Sequence, residues 1–155
     1  MPDPLADLYD AHATWLWRTA RSWLRNDTDA EDAVHEVFLG VARAGVAAAL
    51  DNPRAYLASG LVHACTRLKQ RRMRAPIALA DHDPPQPVED RQSDERLDRV
   101  LSTLPNEQRE VVVLKIEGDL TFAAIGEALG ISPNTAASRW RIAIAHLREL
   151  LPEDA

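Results

Sequence analysis

A run of short polar side chains and arginines near the carboxyl end of the sequence could form hydrogen bonds to a nucleic acid. The run lies in LGISPNTAASRW, residues 129–140. Gly130 is expected to end one helix, and Ser132 to cap the next with Pro133 in its first turn. Six side chains occupy the outer face of this second helix: Ser132, Asn134, Thr135, Ser138, Arg139 and Arg141. Because asparagine can pair with adenine, and arginine with guanine or a phosphate, this face is a candidate surface for reading duplex DNA.

The elements around this face predict a helix-turn-helix arrangement. Apolar residues of the first helix are expected to pack against those of the second: Phe122, Ile125 and Leu129 against Ile131, Ala136, Trp140, Ile144 and Leu147. Helix pairs of this kind are also common in proteins that bind no DNA. Spacing alone therefore leaves a plain helix pair and a DNA reader both open.

Composition excludes several classes of protein. The 155 residues carry a net charge of -6 and a single cysteine, Cys65, which cannot form an internal disulfide. No apolar run is long enough to cross a bilayer, so we expect a cytoplasmic protein without membrane insertion. The five histidines show no metal-ligand spacing, and no nucleophile–base pair or phosphate loop is present. We therefore expect no enzyme activity, no metal, no cofactor and no small-molecule substrate.

Charge and proline divide the chain into three parts. Residues 76–93 hold four prolines and four acidic residues without hydrophobic periodicity, which predicts a flexible acidic linker. Domains are therefore expected at 1–75 and 94–155. Five of the eight residues in RLKQRRMR, Arg67 to Arg74, are positively charged. This basic segment is more than a helix end requires for its dipole, and it favours contact with a phosphate backbone.

Hydrophobic periodicity predicts helices almost everywhere, and hence an all-α protein of two small helical domains. Helices are expected over 5–24, from Asp27 or Thr28 to about Ala49, and over 53–73. The third should bury Tyr56, Leu57, Leu61, Ala64, Cys65 and Leu68. Shorter helices should follow from 94 to 102, after Pro105 to Gly118, and from Thr121 to Gly130. Trp17 lies on a different face from Trp15 and is a candidate for a partner surface.

Residues 104–151 closely resemble the C-terminal, sigma4-like domain of bacterial RNA polymerase sigma factors of the extracytoplasmic-function type. The matching positions are Leu104-Pro105, Arg109, Ile125, Leu129-Gly130-Ile131-Ser132, Thr135, Ser138-Arg139 and Leu147-Arg148. The resemblance implies that the six polar residues of the second helix read the −35 promoter element. It departs from the family at Ala136 and Ala137, where valine and lysine are usual.

Residues 8–44 resemble the N-terminal, sigma2-like domain of the same family, most strongly over DAEDAVHEVFLGVAR, residues 29–43. In the family this helix binds the clamp coiled coil of core RNA polymerase. The resemblance implies that polymerase is bound by Asp29, Asp32, His35, Glu36 and Leu39. Acidic residues early in a helix also complement its dipole without any partner. His35 replaces a glutamine that is common in the family.

The third helix matches the family less well. The resemblance implies that it holds the −10 element through Tyr56, His63, Arg67, Lys69, Arg71, Arg72 and Arg74. Tyr56 stands where the family usually has tryptophan.

The sequence thus predicts a sigma factor that directs core RNA polymerase to promoter DNA, with an anti-sigma factor as a further implied partner. Two alternatives remain open at this stage. The chain could be a sigma mimic that binds an anti-sigma factor without starting transcription. It could also be a plain helix-turn-helix regulator, which would leave the resemblance over residues 29–43 unexplained.

Overall fold

A computed structural model of the protein describes residues 2–74 and 91–151, and over these ranges it contains seven helices and no strand. Their bounds are α1 Pro4–Leu24, α2 Asp27–Ala44, α3 Pro53–Arg74, α4 Arg91–Ser102, α5 Asn106–Ile116, α6 Phe122–Leu129 and α7 Pro133–Leu150. The all-α prediction is confirmed. Most of the predicted linker, residues 76–90, lies outside the described residues. Helix α4 begins at Arg91, three residues before its expected start.

The boundaries of α2 differ from the expected ones at both ends. Asn26, and not Asp27 or Thr28, is the cap: its Oδ1 accepts a hydrogen bond from the Asp29 backbone N–H at 2.9 Å. The helix ends at Ala44 and not near Ala49, because Gly45 adopts a φ of +66°. The Gly45 N–H donates to the Val41 carbonyl at 3.0 Å. Alanine-rich sequence after Gly45 favours helix, but a left-handed glycine ends the helix first.

The turn between α6 and α7 forms as the sequence predicts. The Thr121 hydroxyl accepts from the Ala124 N–H at 3.1 Å and caps α6, which ends at Gly130 with a φ of +72°. The Ser132 hydroxyl then accepts from the Thr135 N–H at 3.0 Å and caps α7, whose first residue is Pro133. Each cap satisfies a backbone donor that would otherwise lack a partner inside the helix.

Helices α1, α2 and α3 pack together as the first half of the molecule. The buried apolar residues are Leu8, Trp15, Leu16, Ala20 and Trp23 on α1 and Ala30, Ala33, Val34, Val37, Phe38 and Val41 on α2. On α3 the buried residues are Leu57, Ala58, Leu61, Ala64 and Cys65. Tyr56 corrects the prediction, since its residue surface is 43% exposed. It lies one position before Leu57, about 100° around the helix, and so points away from the core.

Helices α4 to α7 form the second half. Arg109 is buried and connects the segments of this half: its Nε donates to the Leu101 carbonyl and its Nη2 to the Leu104 carbonyl, both at 3.0 Å. Val112, Val113 and Ala143 complete a small cluster with these two leucines. Burial and the charge of Arg25 lower the pKa of Arg109. Arg109 therefore has a structural role, holding the end of α4 against α5.

The two halves pack against each other. Helix α3 contacts α6, and α1 contacts α5. Buried residues of both halves, among them Trp15 and Leu61 of the first and Leu114 and Ile125 of the second, belong to one continuous hydrophobic cluster. The two halves also approach each other at Gly118, where a Cβ would lie 3.3 Å from Cζ3 of Trp15. The described parts of the chain thus share a core across the predicted domain boundary.

Candidate nucleic-acid and partner interfaces

The first turns of α7 carry the six polar residues expected to read DNA. Asn134 and Arg141 are exposed, and Thr135, Ser138 and Arg139 are half-buried. Ser132 is occupied by capping, because its hydroxyl accepts from the Thr135 N–H and donates to the Thr135 hydroxyl at 2.9 Å. Asn134 is thus exposed in the first turn of α7, whereas Ser132 is engaged in capping the helix that carries it.

Both arginines of α7 have polar neighbours within the second half. Arg139 Nη2 lies 3.7 Å from Oε2 of Glu107 on α5. Arg141 Nη2 donates to the Ser138 hydroxyl at 3.2 Å. The Glu107 side chain is 74% exposed, so solvent screens this ion pair and a phosphate can displace it. The two guanidinium groups are thus held on the α7 surface without being buried.

Gly126 is a structural requirement of this surface that the sequence reasoning missed. Its carbonyl accepts from the Ile131 N–H at 2.9 Å, and a Cβ at this position would lie 2.5 Å from the Ile131 carbonyl oxygen. Only glycine lets α6 approach the start of α7 this closely. A glycine inside a helix is unfavourable by about 1 kcal/mol relative to alanine. The presence of Gly126 inside α6 therefore indicated, from the sequence alone, a position where a side chain does not fit.

The basic segment of α3 lies beside acidic residues of α2. Arg67 Nη2 is 3.2 Å from Oε1 of Glu36, and Arg72 Nε is 2.5 Å from Oδ2 of Asp29. Tyr56, His63, Arg71 and Arg74 are exposed, and Lys69 is half-buried. Both ion-paired arginines keep more than half of their side-chain surface exposed, at 56% and 57%. The residues expected at the −10 element therefore form an accessible, partly neutralised surface.

The structure divides the five expected polymerase-binding residues between two faces of α2. Asp29 and Glu36 point toward α3 and form the ion pairs just described. Asp32 and His35 line an open groove of about 600 Å³ between α1 and α2. Leu39, also exposed, lies one helical turn after His35. The outward-facing part of the set is thus Asp32, His35 and Leu39.

The same groove contains residues that the sequence reasoning did not select. Tyr9 and Thr14 of α1 and Glu31 of α2 line it together with half-buried Trp17, which the sequence predicted as a candidate for a partner surface. The Tyr9 ring packs on Phe38 with ring centroids 4.9 Å apart, and 51% of the Tyr9 surface remains exposed. Aromatic side chains beside carboxylates suit a basic partner helix with an apolar stripe. Only the packing of α1 on α2 brings them together.

Glu110 of α5 lies among charges from both halves. Burial raises the pKa of this carboxyl group above its ordinary value, while Lys69 of α3 and Arg139 of α7 lower it. The carboxylate is thus within electrostatic reach of one cation expected at the −10 element and one expected at the −35 element. Cys65 lies near this region, is buried, and has a pKa that burial raises to about 12.

Within residues 2–74 and 91–151, no group of three or more His, Cys, Asp or Glu side chains could hold a metal ion. Over the same part of the chain, no helix has the length and apolar character that a membrane span requires.

Comparison with known proteins agrees with the geometry. The family model described as Sigma-70 region 2 matches residues 8–75, and the model described as Sigma-70, region 4 matches residues 94–147. No curated protein sequence matches the chain.

Two solved structures share the fold over 97% of the chain. One is the sigma factor RpoE in complex with the anti-sigma factor NepR from Bartonella quintana, with 22% identity, a TM-score of 0.69 and 96% of that chain covered. The other is CnrH in complex with the cytosolic domain of CnrY, with 24% identity, a TM-score of 0.67 and 89% of that chain covered. With region 2 in the first half and region 4 in the second, the protein belongs to the sigma-70 family of RNA polymerase sigma factors.

Proposed function

We propose that this sigma factor binds core RNA polymerase through the outer face of α2 and reads the −35 element through α7. The observation that carries the proposal is the pairing of two exposed surfaces on one chain. The groove around Asp32 presents carboxylates and aromatic rings, and the capped start of α7 presents Asn134 and Arg141. The first surface suits a basic protein helix and the second suits the major groove of DNA.

The −10 element is assigned to the exposed surface of α3. Arg71 and Arg74 supply positive charge, and Tyr56 supplies an exposed ring on which an unstacked base could stack.

Arg67 and Arg72 join this set once phosphates replace their carboxylate partners on α2. The Arg67–Glu36 pair is solvent-accessible on both sides and contributes only about 0–1 kcal/mol, so exchange at Arg67 costs little. The Asp29 side chain is only 14% exposed, so release of Arg72 leaves a largely buried carboxylate and costs more.

The chain itself carries no enzyme activity in this proposal, and the bond-forming chemistry belongs to the polymerase. We propose that the chain is a sigma factor of the extracytoplasmic-function type and that it acts in the cytoplasm. An anti-sigma protein is a further proposed partner, because one of the two related structures is described as a sigma factor in complex with an anti-sigma factor.

Charge reversal at Asp32 tests the docking surface. Asp32→Lys places a cation in the groove and is expected to weaken binding to purified core polymerase at least tenfold, measured by fluorescence anisotropy of the labelled chain. Asp51→Lys is the matched control, since Asp51 is exposed in the connection between α2 and α3 and lies outside the groove. Glu36 is unsuitable for this test because its reversal would also disturb Arg67.

Equal loss of binding in both variants, or no loss in either, would contradict the assignment. Normal polymerase binding without any transcription would instead support the sigma mimic. DNA binding that ignores polymerase would support the plain helix-turn-helix regulator.

A further inference from the structure

Four arginine side chains line a cavity that the proposed function does not use. The cavity has a volume of about 260 Å³ and lies where the end of α1 meets α4 and the first turn of α5. The four are Arg21, Arg25, Arg99 and Arg109, and the described lining contains a single carboxylate, that of Asp98. The lining thus has a surplus of three positive charges. We use the term arginine pocket for this cavity.

Part of this charge has no partner within the described chain. Arg21 forms an ion pair with Asp27, and Arg109 uses its Nε and Nη2 to bind backbone carbonyls. Within residues 2–74 and 91–151, Nη1 of Arg109 has no hydrogen-bond acceptor. Over the same ranges, Arg25 and Arg99 form no ion pair. As far as the structure describes the chain, the arginine pocket therefore offers two unpaired cations and one unoccupied pair of N–H donors.

Arg25 and Arg109 repel each other in the free chain. Burial, and after it the positive charge of Arg25, lowers the pKa of Arg109. Arg25 also has a φ of +55°, a left-handed conformation that arginine adopts less readily than glycine. The hydrogen bonds of Arg109 explain why it is buried, but they do not explain why a second cation stands near it. An anion held between the two groups would replace one repulsion by two attractions.

The chemistry and size of the arginine pocket define the kind of ligand that fits. Guanidinium groups bind phosphate and carboxylate groups through paired N–H donors. A surplus of three positive charges favours a multiply charged anion over a single carboxylate. The volume of about 260 Å³ lies below the range of about 300–1,000 Å³ that is typical of drug-sized ligands. The cavity can therefore enclose one or two linked phosphate groups, but not a nucleoside attached to them.

We propose that the arginine pocket binds a small phosphate anion, either free phosphate or diphosphate or the terminal phosphates of a nucleotide. Arg25 and Arg99 supply the unpaired charges, and Nη1 of Arg109 supplies hydrogen-bond donors. Ser22 also lines the pocket and can donate its hydroxyl to a phosphate oxygen. The site is separate from the surfaces assigned to polymerase and DNA, so the proposal does not depend on promoter recognition.

Calorimetric titration and thermal unfolding of the whole chain test the site. The probes are phosphate, diphosphate, ADP and adenosine, without divalent cations and with chloride adjusted to hold the ionic strength constant. This adjustment is needed because any salt screens converging charges. Diphosphate is expected to bind at one site per chain. At a hundred times its dissociation constant it should raise the unfolding midpoint by about 5–10 °C, whereas adenosine should not bind.

The probes also distinguish the two sources of phosphate. Tighter binding of diphosphate than of ADP identifies the free anion as the ligand. Binding of ADP that is as tight or tighter identifies the end of a nucleotide. Both results support the arginine pocket.

Arg25→Gly is the most informative variant, because it should leave the fold intact. Glycine is favoured at a φ of +55°, and loss of the guanidinium removes a repulsion on Arg109. The free variant should therefore unfold at no lower temperature than the wild type, yet bind diphosphate at least tenfold more weakly. Arg99→Gln, in the last turn of α4, should also weaken binding. Arg43→Gln is the matched control, since Arg43 is exposed in the last turn of α2 and does not line the pocket.

The proposal is overturned if exchange of chloride for diphosphate at constant ionic strength leaves the unfolding midpoint unchanged. It is equally overturned if Arg25→Gly and Arg99→Gln bind diphosphate as tightly as Arg43→Gln does. That second result would place the anion elsewhere, for example on the basic segment of α3. Circular dichroism confirms the helical content of each variant, and Arg99→Gln decides the matter if Arg25→Gly is less helical than the wild type.

Discussion

At the scale of single residues, opposite charges are paired on surfaces that are expected to bind different partners. Arg67 and Arg72 face DNA in the proposed complex, and in the free chain they pair with Glu36 and Asp29 of α2. The Arg67–Glu36 pair is accessible to solvent on both sides and adds little stability, whereas the Asp29 partner of Arg72 is only 14% exposed and is less screened. The sequence predicts the five positive charges of the basic segment, but it does not show that two of them have intramolecular partners.

Asn134 is expected to contribute base discrimination. It is exposed in the first turn of α7, where an asparagine can form two hydrogen bonds to an adenine edge. Asn134→Ala should cost about 1–3 kcal/mol of binding to the preferred −35 sequence and much less on sequences that lack that adenine. Anisotropy titrations on duplexes with single base-pair changes measure this. Arg148→Ala, near the other end of α7, serves as control and should weaken all duplexes equally or not at all.

Glu110 is expected to lower stability at neutral pH. Burial raises its pKa in the folded protein, so the charged form costs free energy that the unfolded chain does not pay. The contribution of Glu110 is therefore most favourable below its ordinary pKa of 4.5 and is lost as the pH rises through the folded value. Glu110→Gln should raise the free energy of unfolding near neutral pH, and this advantage should shrink toward zero as the pH falls below 4.5.

Urea unfolding of the wild type and of Glu110→Gln across this pH range measures the difference. Glu127→Gln, at an exposed position of α6, is the control for the loss of one carboxylate charge. An advantage of Glu110→Gln that is the same at every pH, or a loss of stability near neutral pH, would contradict the account.

At the scale of helices, local residue chemistry determines the ends of α6 and α7 well. Thr121, Gly130, Ser132 and Pro133 were all predicted in the roles that they have, because caps and left-handed glycines act within a few residues. The end of α2 was wrong because Gly45 lies in a run of alanine and valine that favours helix. The inward placement of Tyr56 was wrong because one position around a helix changes its face.

The two helical glycines Gly126 and Gly40 should respond in opposite ways to alanine. A Cβ on Gly126 meets the Ile131 carbonyl oxygen at 2.5 Å, so Gly126→Ala should destabilise the α6–α7 turn by about 1–3 kcal/mol. Gly40 has nothing within 4 Å of a built Cβ, and Gly40→Ala should stabilise α2 by up to about 1 kcal/mol. Urea unfolding gives both values. Stabilisation by Gly126→Ala would show that the turn is less tightly packed than described.

At the scale of the whole molecule, the sequence predicts the two halves but not how they pack together. Val111, Leu114 and Ile125 have the periodicity of core residues of the second half, and they are buried. That pattern is the same whether the neighbouring surface comes from the same half or from the other one. The hydrogen bond from Arg54 to Gly118 joins residues 64 positions apart, and no local motif predicts such a contact.

The candidate sites were also predictable to different degrees, because a site on one helix follows from helical spacing and a site between two helices does not. Polar residues of α7 lie on one helix with a recognisable turn, so their shared face follows from helical spacing. The groove between α1 and α2 requires two helices to meet, and its Tyr9, Thr14 and Glu31 were missed. Asp29 and Glu36 were assigned to polymerase binding by resemblance. In the structure they also form ion pairs with arginines of α3, which the resemblance does not describe.

Run-off transcription with the chain's own core RNA polymerase on genomic fragments tests the central claim most directly. The account predicts transcripts that require the added chain, that start downstream of one shared pair of promoter elements, and that are strongly reduced by Asp32→Lys and by Arg139→Ala. Core polymerase that binds the chain yet yields no such transcripts, or transcripts indifferent to both substitutions, would contradict it.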